Sequence, residues 1–382
     1  MSGSERKVDI NKGLKNGYYD RTSTSLIVSK PGKLLYRGYN IDDLASFSTF
    51  EETIYLLLKG KLPNKPQLSE IDQELKRNRT LPQSVLDTLQ IYKNEHPMDA
   101  LRGGISAMSI SDSDPENMSP DSVMSKSIKM CAIVPSIVAA HYRISQGYEV
   151  IEPNTSLNLA GNFLYMLTGQ KQDPRDIRLI DKDFILHAEH GSNASTFAAR
   201  VCASTNADFY SSLTAAVSVL KGPKHGGAAE ASIKMAKEVG SIENANNYVE
   251  NVIADRGRIP GFGHPVYSDI DPRSVHLKKD ARDLGERRGN PKWFEIIEAI
   301  TQSKAMKRRS RLGINPNVDL WSGAIYSLLE IPEELFVPIF AIGRIPGWAL
   351  HIIEQYSTKD LLRPRLYYTG PIDLPYIPIE NR

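Results

Sequence analysis

From Thr49 onward the apolar residues of this chain recur at helical spacing, and no strand-like runs alternate with them. A parallel α/β sheet needs that alternation, so the pattern excludes it and predicts a mainly α fold. Thr49-Phe50-Glu51-Glu52 has the spacing of a capping box, and TIYLLLKG then runs to a glycine stop at Gly60. A second helix is predicted from Pro82, with Val85, Leu86, Leu89 and Tyr92 on one face, ending before Pro97. Ser119-Pro120-Asp121 opens a longer apolar segment that Pro135 is expected to break or kink. Residues 155–169, 178–204 and 208–221 read as buried helices, and 232–256, 273–287, 291–309, 320–330 and 334–356 continue the pattern. The exception lies early: TSLIVSKPGKLLYR (24–37) reads as a small N-terminal β-hairpin turning at Pro31-Gly32.

The 382 residues suffice for two domains or one large one. A net charge of +2 points to neither nucleic acid nor a membrane surface. Cys131 and Cys202 are the only cysteines and form no CxxC, which argues against a disulfide scaffold or a cysteine metal site and fits a reducing cytoplasm. No apolar run is read as reaching the ~18 residues of a spanning helix. The polar start MSGSERKVDINKG carries no leader pattern, so a cytoplasmic chain with residues 1–12 flexible is expected.

Four loops dense in Gly, Pro or Asn punctuate the second half: GPKHGGA (222–228), IPGFGHPVY (259–267), GINPNVD (313–319) and RPRLYYTGP (363–371). Short loops on a rigid helical frame are where binding and catalytic groups tend to sit. His225 precedes two glycines and a helix start that offers free N–H groups; it is either incidental there or faces a ligand. His264 stands between Gly263 and Pro265, in a surface turn or in a loop that presents an imidazole. Gly261-Phe262-Gly263 lacks the third glycine and the preceding strand of a dinucleotide fingerprint. His187 and His190 in HAEH would share a face if helical, as half a metal site, as ligand-bonding groups or as core histidines. His96, His141, His276 and His351 read as structural. Asp319 precedes an apolar helix, as an N-cap or as a general base held at a loop-to-helix joint.

Arg344 interrupts the apolar VPIFAIGRIPGWALHII and therefore needs an anionic partner. With Arg273 and Arg363, and few acids near them in sequence, it suggests a ligand bearing carboxylates. KAMKRRSR (304–311) is either a solvated helix face or a seat for polyphosphate. Together these residues describe a site for an anionic small molecule and a phosphate-bearing cosubstrate, with proton transfer next to a carbonyl.

GPKHGGAAE, GFGHPVY–DPR, NPNVD–SG, R–GW–HIIEQ and RPR–Y–GP occur in the order and spacing of the citrate synthase family, which the chain resembles over roughly residues 24–382. LLYRGYNIDDLA, FEETIYLLLKGKLP and HAEHGSNASTFAARV match as well. GPKHGGA and GFGHPVYS, in place of GPLHGGA and GFGHRVYK, and HPMDALRGGISA at 96–107 look most like the 2-methylcitrate synthases within it. The resemblance implies a two-domain helical fold, with 1–221 and 326–382 as a large domain and 222–325 as a small one that closes over the site. It implies that oxaloacetate condenses with propionyl-CoA or acetyl-CoA, with no metal and no permanently bound cofactor. Asp319 would take a proton from the acyl α-carbon, His225 would stabilise the enol and His264 would polarise the oxaloacetate carbonyl. His190, Arg273, Arg344 and Arg363 would hold the oxaloacetate carboxylates, Arg363 from the second subunit of a homodimer. CoA phosphates would fall to Lys304, Lys307, Arg308, Arg309 and Arg311, because the Arg and Lys of GHRVYK are Pro265 and Ser268 here. Rival readings are a plain citrate synthase, a lyase that cleaves a citryl thioester, a catalytically inactive scaffold and a metal hydrolase built on HAEH. An aspartate of ordinary pKa, about 3.9, is a weak base for a carbon acid, so the implied chemistry demands a dry site and a partner for the developing oxyanion.

Overall fold

A computed structural model describes residues 10–14 and 17–382. Strands β1 (Ser25–Val28), β2 (Lys33–Tyr36) and β3 (Tyr39–Asn40) form one antiparallel sheet in chain order, with Ser25 opposite Tyr36 and Tyr36 opposite Tyr39. The expected hairpin is thus two-thirds of a sheet. Arg37 and Gly38 both take positive φ (50° and 91°) and return the chain a second time through a two-residue turn. Of the expected flexible stretch 1–12, residues 1–9 lie outside the described residues, and Lys12 opens a single 3-10 turn.

Seventeen α-helices follow among the described residues: α1 (Ile41–Phe47), α2 (Phe50–Lys59), α3 (Lys65–Arg77), α4 (Gln83–Ile91), α5 (Pro97–Ala107), α6 (Pro120–Ser145), α7 (Leu159–Thr168), α8 (Pro174–His187), α9 (Ala194–Ala203), α10 (Phe209–Leu220), α11 (Ala228–Val239), α12 (Ala245–Ala254), α13 (Pro272–Arg287), α14 (Lys292–Gln302), α15 (Lys304–Ser310), α16 (Asp319–Leu328) and α17 (Phe336–Thr358). The mainly α class matches the sequence reading. At α2 only half of the capping box forms. Thr49 accepts from Glu52 N, but the Glu52 carboxylate accepts from the Ser48 hydroxyl instead of returning to the cap. Gly60 closes that helix at φ 80°.

Three expected long helices are divided. Residues 178–204 part at Ala188–Asn193, 232–256 at Gly240 (φ 72°) and 291–309 at Ser303, whose hydroxyl caps α15. Pro135 neither ends nor divides α6, which runs unbroken for 26 residues. Packing against α3, α4, α5, α7 and α17 offsets the missing backbone hydrogen bond. Residues 120–145 and 333–358 each hold an 18-residue window of mean hydropathy 1.4 or 1.5, enough by length and composition to cross a membrane, contrary to the sequence expectation. Of those windows 83% and 89% are buried in protein, as in core helices.

α17 is the central core helix, packed on α2, α5, α6, α8, α9, α10 and α11. Helices α11 to α16 pack chiefly on one another. α13 links them to α1 and α8 through Lys182–Asp280 (2.8 Å), His276–Asp42 (2.8 Å) and the pairs of Arg287 and Arg288 with Asp176. Gly323 lets α16 approach α11, since a Cβ there would stand 2.7 Å from Ala229 O and 3.1 Å from Ile233 Cβ. Backbone is not a yielding neighbour, so Gly323→Ala is expected to destabilise the fold by about 1–3 kcal/mol. A denaturant midpoint equal to that of the parent chain would remove this account of the α11–α16 contact.

Candidate active site

The sequence separates His264 from Asp319 by more than fifty residues, and backbone pairing brings their loops together. Gly263 N donates to Asn315 O (2.8 Å), Asn317 N to Gly261 O (2.9 Å) and Asn317 Nδ2 to Gly263 O (3.0 Å). Gly261 has φ 76°, and a Cβ there would meet Leu320 and Ser232 within 2.6–2.8 Å, so both backbone and space require glycine. Asp319 is the first residue of α16. It is not the helix cap: that position is Val318, and no side chain caps the helix. Asn317 Oδ1 accepts from Asp319 N (3.1 Å), and the Asp319 carboxylate takes part in no hydrogen bond or ion pair among the described residues. Burial raises its pKa above the usual carboxylate value, opposed by His187 and Arg273.

His264 is held by its own loop, with Nδ1 accepting from Val266 N (3.0 Å) and Tyr267 N (3.2 Å). A neutral ring so held carries its hydrogen on Nε2 and can donate it. Burial, then Arg273, lowers its pKa to about 4. The His190 ring lies 4.9 Å from that of His264, centroid to centroid, and its Nε2 meets Tyr267 Oη at 3.2 Å. Burial and then Arg273 hold His190 well below its ordinary pKa. His225 Nε2 meets Ser195 Oγ at 2.8 Å, and that oxygen also accepts from Trp348 Nε1 (3.1 Å). Its pKa falls to about 4, through burial and then Arg344. The three rings are therefore neutral at pH 7.

HAEH is not a helical pair. α8 ends at His187, whose Nδ1 is turned back on Asp183 O (2.8 Å), whereas His190 lies beyond the helix. The shared-face reading fails because Ala188–His190 leave the helix, and no group of three or more His, Cys, Asp or Glu residues suited to a metal occurs among the described residues.

The arginines divide. Arg273 is buried in a two-pronged pair with Asp271 (Nε–Oδ1 3.0 Å, Nη2–Oδ2 2.7 Å), so the acid missed by sequence reasoning stands within DPR itself. Asp271 also caps α13. Arg344 is buried without an ion-pair partner among the described residues. Its Nε donates to His187 O, and its guanidinium covers the Phe340 ring at 4.8 Å. Burial lowers its pKa to about 10, with Glu189 opposing. Arg363 is exposed in the extended stretch 359–382 and forms no hydrogen bond or ion pair with these groups. Lys304, Lys307, Arg308 and Arg311 are exposed and Arg309 is half-buried. Their run leads into the site loop through Ile314 N to Arg309 O (3.1 Å) and Ser310 Oγ to Asn315 Oδ1 (2.5 Å).

The structure thus gathers His190, His264, Tyr267 and Arg273 around one centre, with Arg344, His225 and Asp319 electrostatically coupled to it. Sequence reasoning missed Tyr267, Asp271, Ser195 and Trp348 as individuals, although each falls within or beside a motif that drew attention. Neutral imidazole donors, two buried guanidinium groups and one desolvated carboxylate can bind an anion, polarise a carbonyl and take a proton from carbon. The depressed histidine pKa values also set a stability slope. The unfolded rings titrate near about 6.5 and bind protons that the folded rings refuse, so stability falls as pH drops from there toward 4. Nitrogen-15 histidine spectra should show His225 and His264 neutral down to about pH 5. Titration of either ring between pH 6 and 7 would contradict this.

Residues 13–365 match the family model described as citrate synthase, C-terminal domain. Citrate synthase 2 of Bacillus subtilis is 42% identical over 97% of this chain and 99% of its own length. A 2-methylcitrate synthase of Corynebacterium glutamicum is 35% identical over 99% of this chain and all of its own. Among solved structures, citrate synthase from Pyrobaculum aerophilum superposes with a TM-score of 0.91 at 39% identity, covering 97% of this chain and 95% of that one. The Thermoplasma acidophilum citrate synthase, in ternary complex with carboxymethyl coenzyme A and oxaloacetate, superposes at 0.93 with 31% identity, covering 97% and 99%.

Proposed function

Because the chain belongs to the citrate synthase family, we propose that its site condenses an acyl-CoA with oxaloacetate through Asp319, His225 and His264. The observation that carries this reading is the His264 ring. Two backbone N–H groups occupy Nδ1, so a neutral Nε2–H remains to bond a ketone oxygen beside Arg273 and His190. The Asp319 carboxylate removes a proton from the acyl α-carbon. His225 donates to the thioester oxygen once the Ser195 hydroxyl turns its proton onto Nε2 and Nδ1 carries the ring hydrogen. The enol carbon then attacks the ketone, which takes its proton from His264, and water cleaves the resulting acyl-CoA thioester to release CoA.

His190, Arg273 and Arg344 hold the oxaloacetate carboxylates, with Arg363 contributed by a second copy of the chain. Leu366, Tyr367, Tyr368, Leu374 and Tyr376 are exposed along 359–382, apolar surface that a homodimer would cover. The basic run 304–311 meets the CoA phosphates. A small domain, 222–325, carries His225, His264, Arg273 and Asp319, and closes on 1–221 and 326–382 to exclude water. The mutual packing of α11–α16 supports that division. The chemistry requires no metal, resident cofactor, nucleic acid or membrane, and the free cysteines fit a cytoplasmic enzyme.

The acyl group has two readings. The GPKHGGA and GFGHPVYS motifs favour propionyl-CoA and a 2-methylcitrate synthase. Two relatives named citrate synthase, at 42% and 40% identity against 35–37% for three named 2-methylcitrate synthase, favour acetyl-CoA. Lys224 and Pro265 are both exposed, so these two motif differences lie at the surface. CoA release with oxaloacetate, compared as kcat/KM for the two thioesters, separates the readings, and release with neither would overturn both. Asp319→Asn is expected to lower kcat by about 10²–10⁴ with the fold retained. Mixing Asp319→Asn chains with Arg363→Ala chains should restore activity in heterodimers. Heterodimers that stay inactive would refute a site shared between subunits.

A further inference from the structure

Behind the oxaloacetate side of the site lies a buried charged cluster that the proposed chemistry leaves unused. Glu189 is fully buried. Its Oε1 accepts from Gly191 N (2.5 Å), Ser25 Oγ (2.9 Å) and His351 Nε2 (3.0 Å). Its Oε2 has no hydrogen-bond partner. An ionised carboxylate so far from water is costly unless donors and charges offset it. Burial pushes the Glu189 pKa up, yet His351 and then Arg344 outweigh it, and the group stays below the ordinary glutamate value.

His351 connects this carboxylate to a second layer. Its Nδ1 receives a bond from Arg200 Nη1 (3.2 Å). Arg200 also reaches Glu354 Oε2 (2.8 Å) and Asp20. Residues 19–25 lie against the same groups. Tyr19 Oη meets Ser192 Oγ (2.7 Å), Thr22 Oγ1 and Ser23 N donate to Glu354 Oε1 (3.1 and 3.0 Å), and Ser25 reaches Glu189 itself. Between Arg344 and His351, α17 presses its backbone onto the turn. A Cβ at Gly347 would overlap Ala188 O and stand 2.6 Å from Glu189 Oε2. The turn held in this way is Ala188–Gly191. It is flanked by the His187 carbonyl that anchors Arg344 Nε, and it contains His190.

We propose that Glu189 is a positioning residue for oxaloacetate: locked by His351, Ser25 and the Gly191 amide, it fixes the turn that aims His190 and seats Arg344. It touches no substrate and acts through those two side chains. The inference rests on the reading that His190 and Arg344 bind oxaloacetate. His351, a structural histidine by its sequence context, becomes part of the binding apparatus. The N-terminal segment, through Ser25, becomes its outer brace.

The test uses the full-length chain and two readouts, the calorimetric Kd for oxaloacetate alone and the separate KM values for oxaloacetate and acyl-CoA. Glu189→Gln keeps the size of the side chain and removes its charge. It should weaken oxaloacetate binding and raise its KM about tenfold, the loss expected for one charge-assisted hydrogen bond, with the acyl-CoA KM unchanged. Glu189→Asp should recover part of the loss. Ser25→Ala and His351→Asn each remove one donor and leave the carboxylate, and should shift oxaloacetate binding in the same direction by less. They keep the proposal testable if Glu189→Gln does not fold. Unchanged oxaloacetate Kd in folded variants, or equal rises in both KM values, would overturn it. A parent chain that turns over normally beside unaffected variants removes only this role for Glu189. A parent chain that binds no oxaloacetate removes the functional reading and this role together.

Discussion

The three hydrogen bonds between residues 261–263 and 315–317 are the constraint on which the site depends. Neither loop is held by regular secondary structure, and each is rich in residues that populate many backbone states when free. Joined, they satisfy one another's backbone groups and fix the two chemically opposed members of the site, the His264 donor and the Asp319 acceptor. Asn317 does most of this joining. Its backbone N–H donates to Gly261 O, its amide nitrogen donates to Gly263 O, and its amide oxygen takes the Asp319 N–H. A residue that reads as loop filler therefore ties both loops to the start of α16, where Asp319 stands.

The electrostatics follow from that placement. Every titratable ring in the site is desolvated beside a guanidinium, and each is driven to its neutral form. Positive charge resides instead on Arg273 and Arg344, which cannot lose it at physiological pH. The division separates two tasks. Fixed charge can attract and orient a dianion, while neutral imidazoles donate to oxygens that become negative only during reaction, and so gain most when that charge develops. Arg273 is already paired with Asp271, which holds its guanidinium in place before any ligand arrives. Arg344 has only a carbonyl and a ring face, and so the larger unmet demand for an anion.

Much of this was legible in the sequence, for identifiable reasons. The helical class followed from periodicity, and the site loops followed from Gly, Pro and Asn clusters interrupting it. Those signals are local, and local signals read well. The failures were of two kinds. Helix ends were misjudged where a side chain decides the matter, as Ser303 does for α15 and the Ala188–Asn193 turn does for α8. Partners were missed where the deciding contact is distant in sequence. Glu189 meets His351 across 162 residues, and the Ser195 that contacts His225 also meets Trp348 across 153. No spacing rule could pair such groups. Pro135 erred in the opposite direction: a reliable local breaker was overridden because the helices packed around α6 hold it on its path.

The ion pairs along α13 bear on how such a site could open. Lys182–Asp280 and Arg287–Asp176 each include a nearly buried carboxylate, whereas His276–Asp42 is more exposed. Exposed pairs exchange readily with water, but breaking a pair that leaves a buried carboxylate behind is costly. Under the proposal that residues 222–325 close on the remainder, closure is easiest if this group pivots as one body about the α13 ion pairs without breaking them. His264 and Asp319, joined by the hydrogen bonds between their loops, would then move together with Arg273 and His225. The site would be completed against His190 and Arg344, which belong to the remainder.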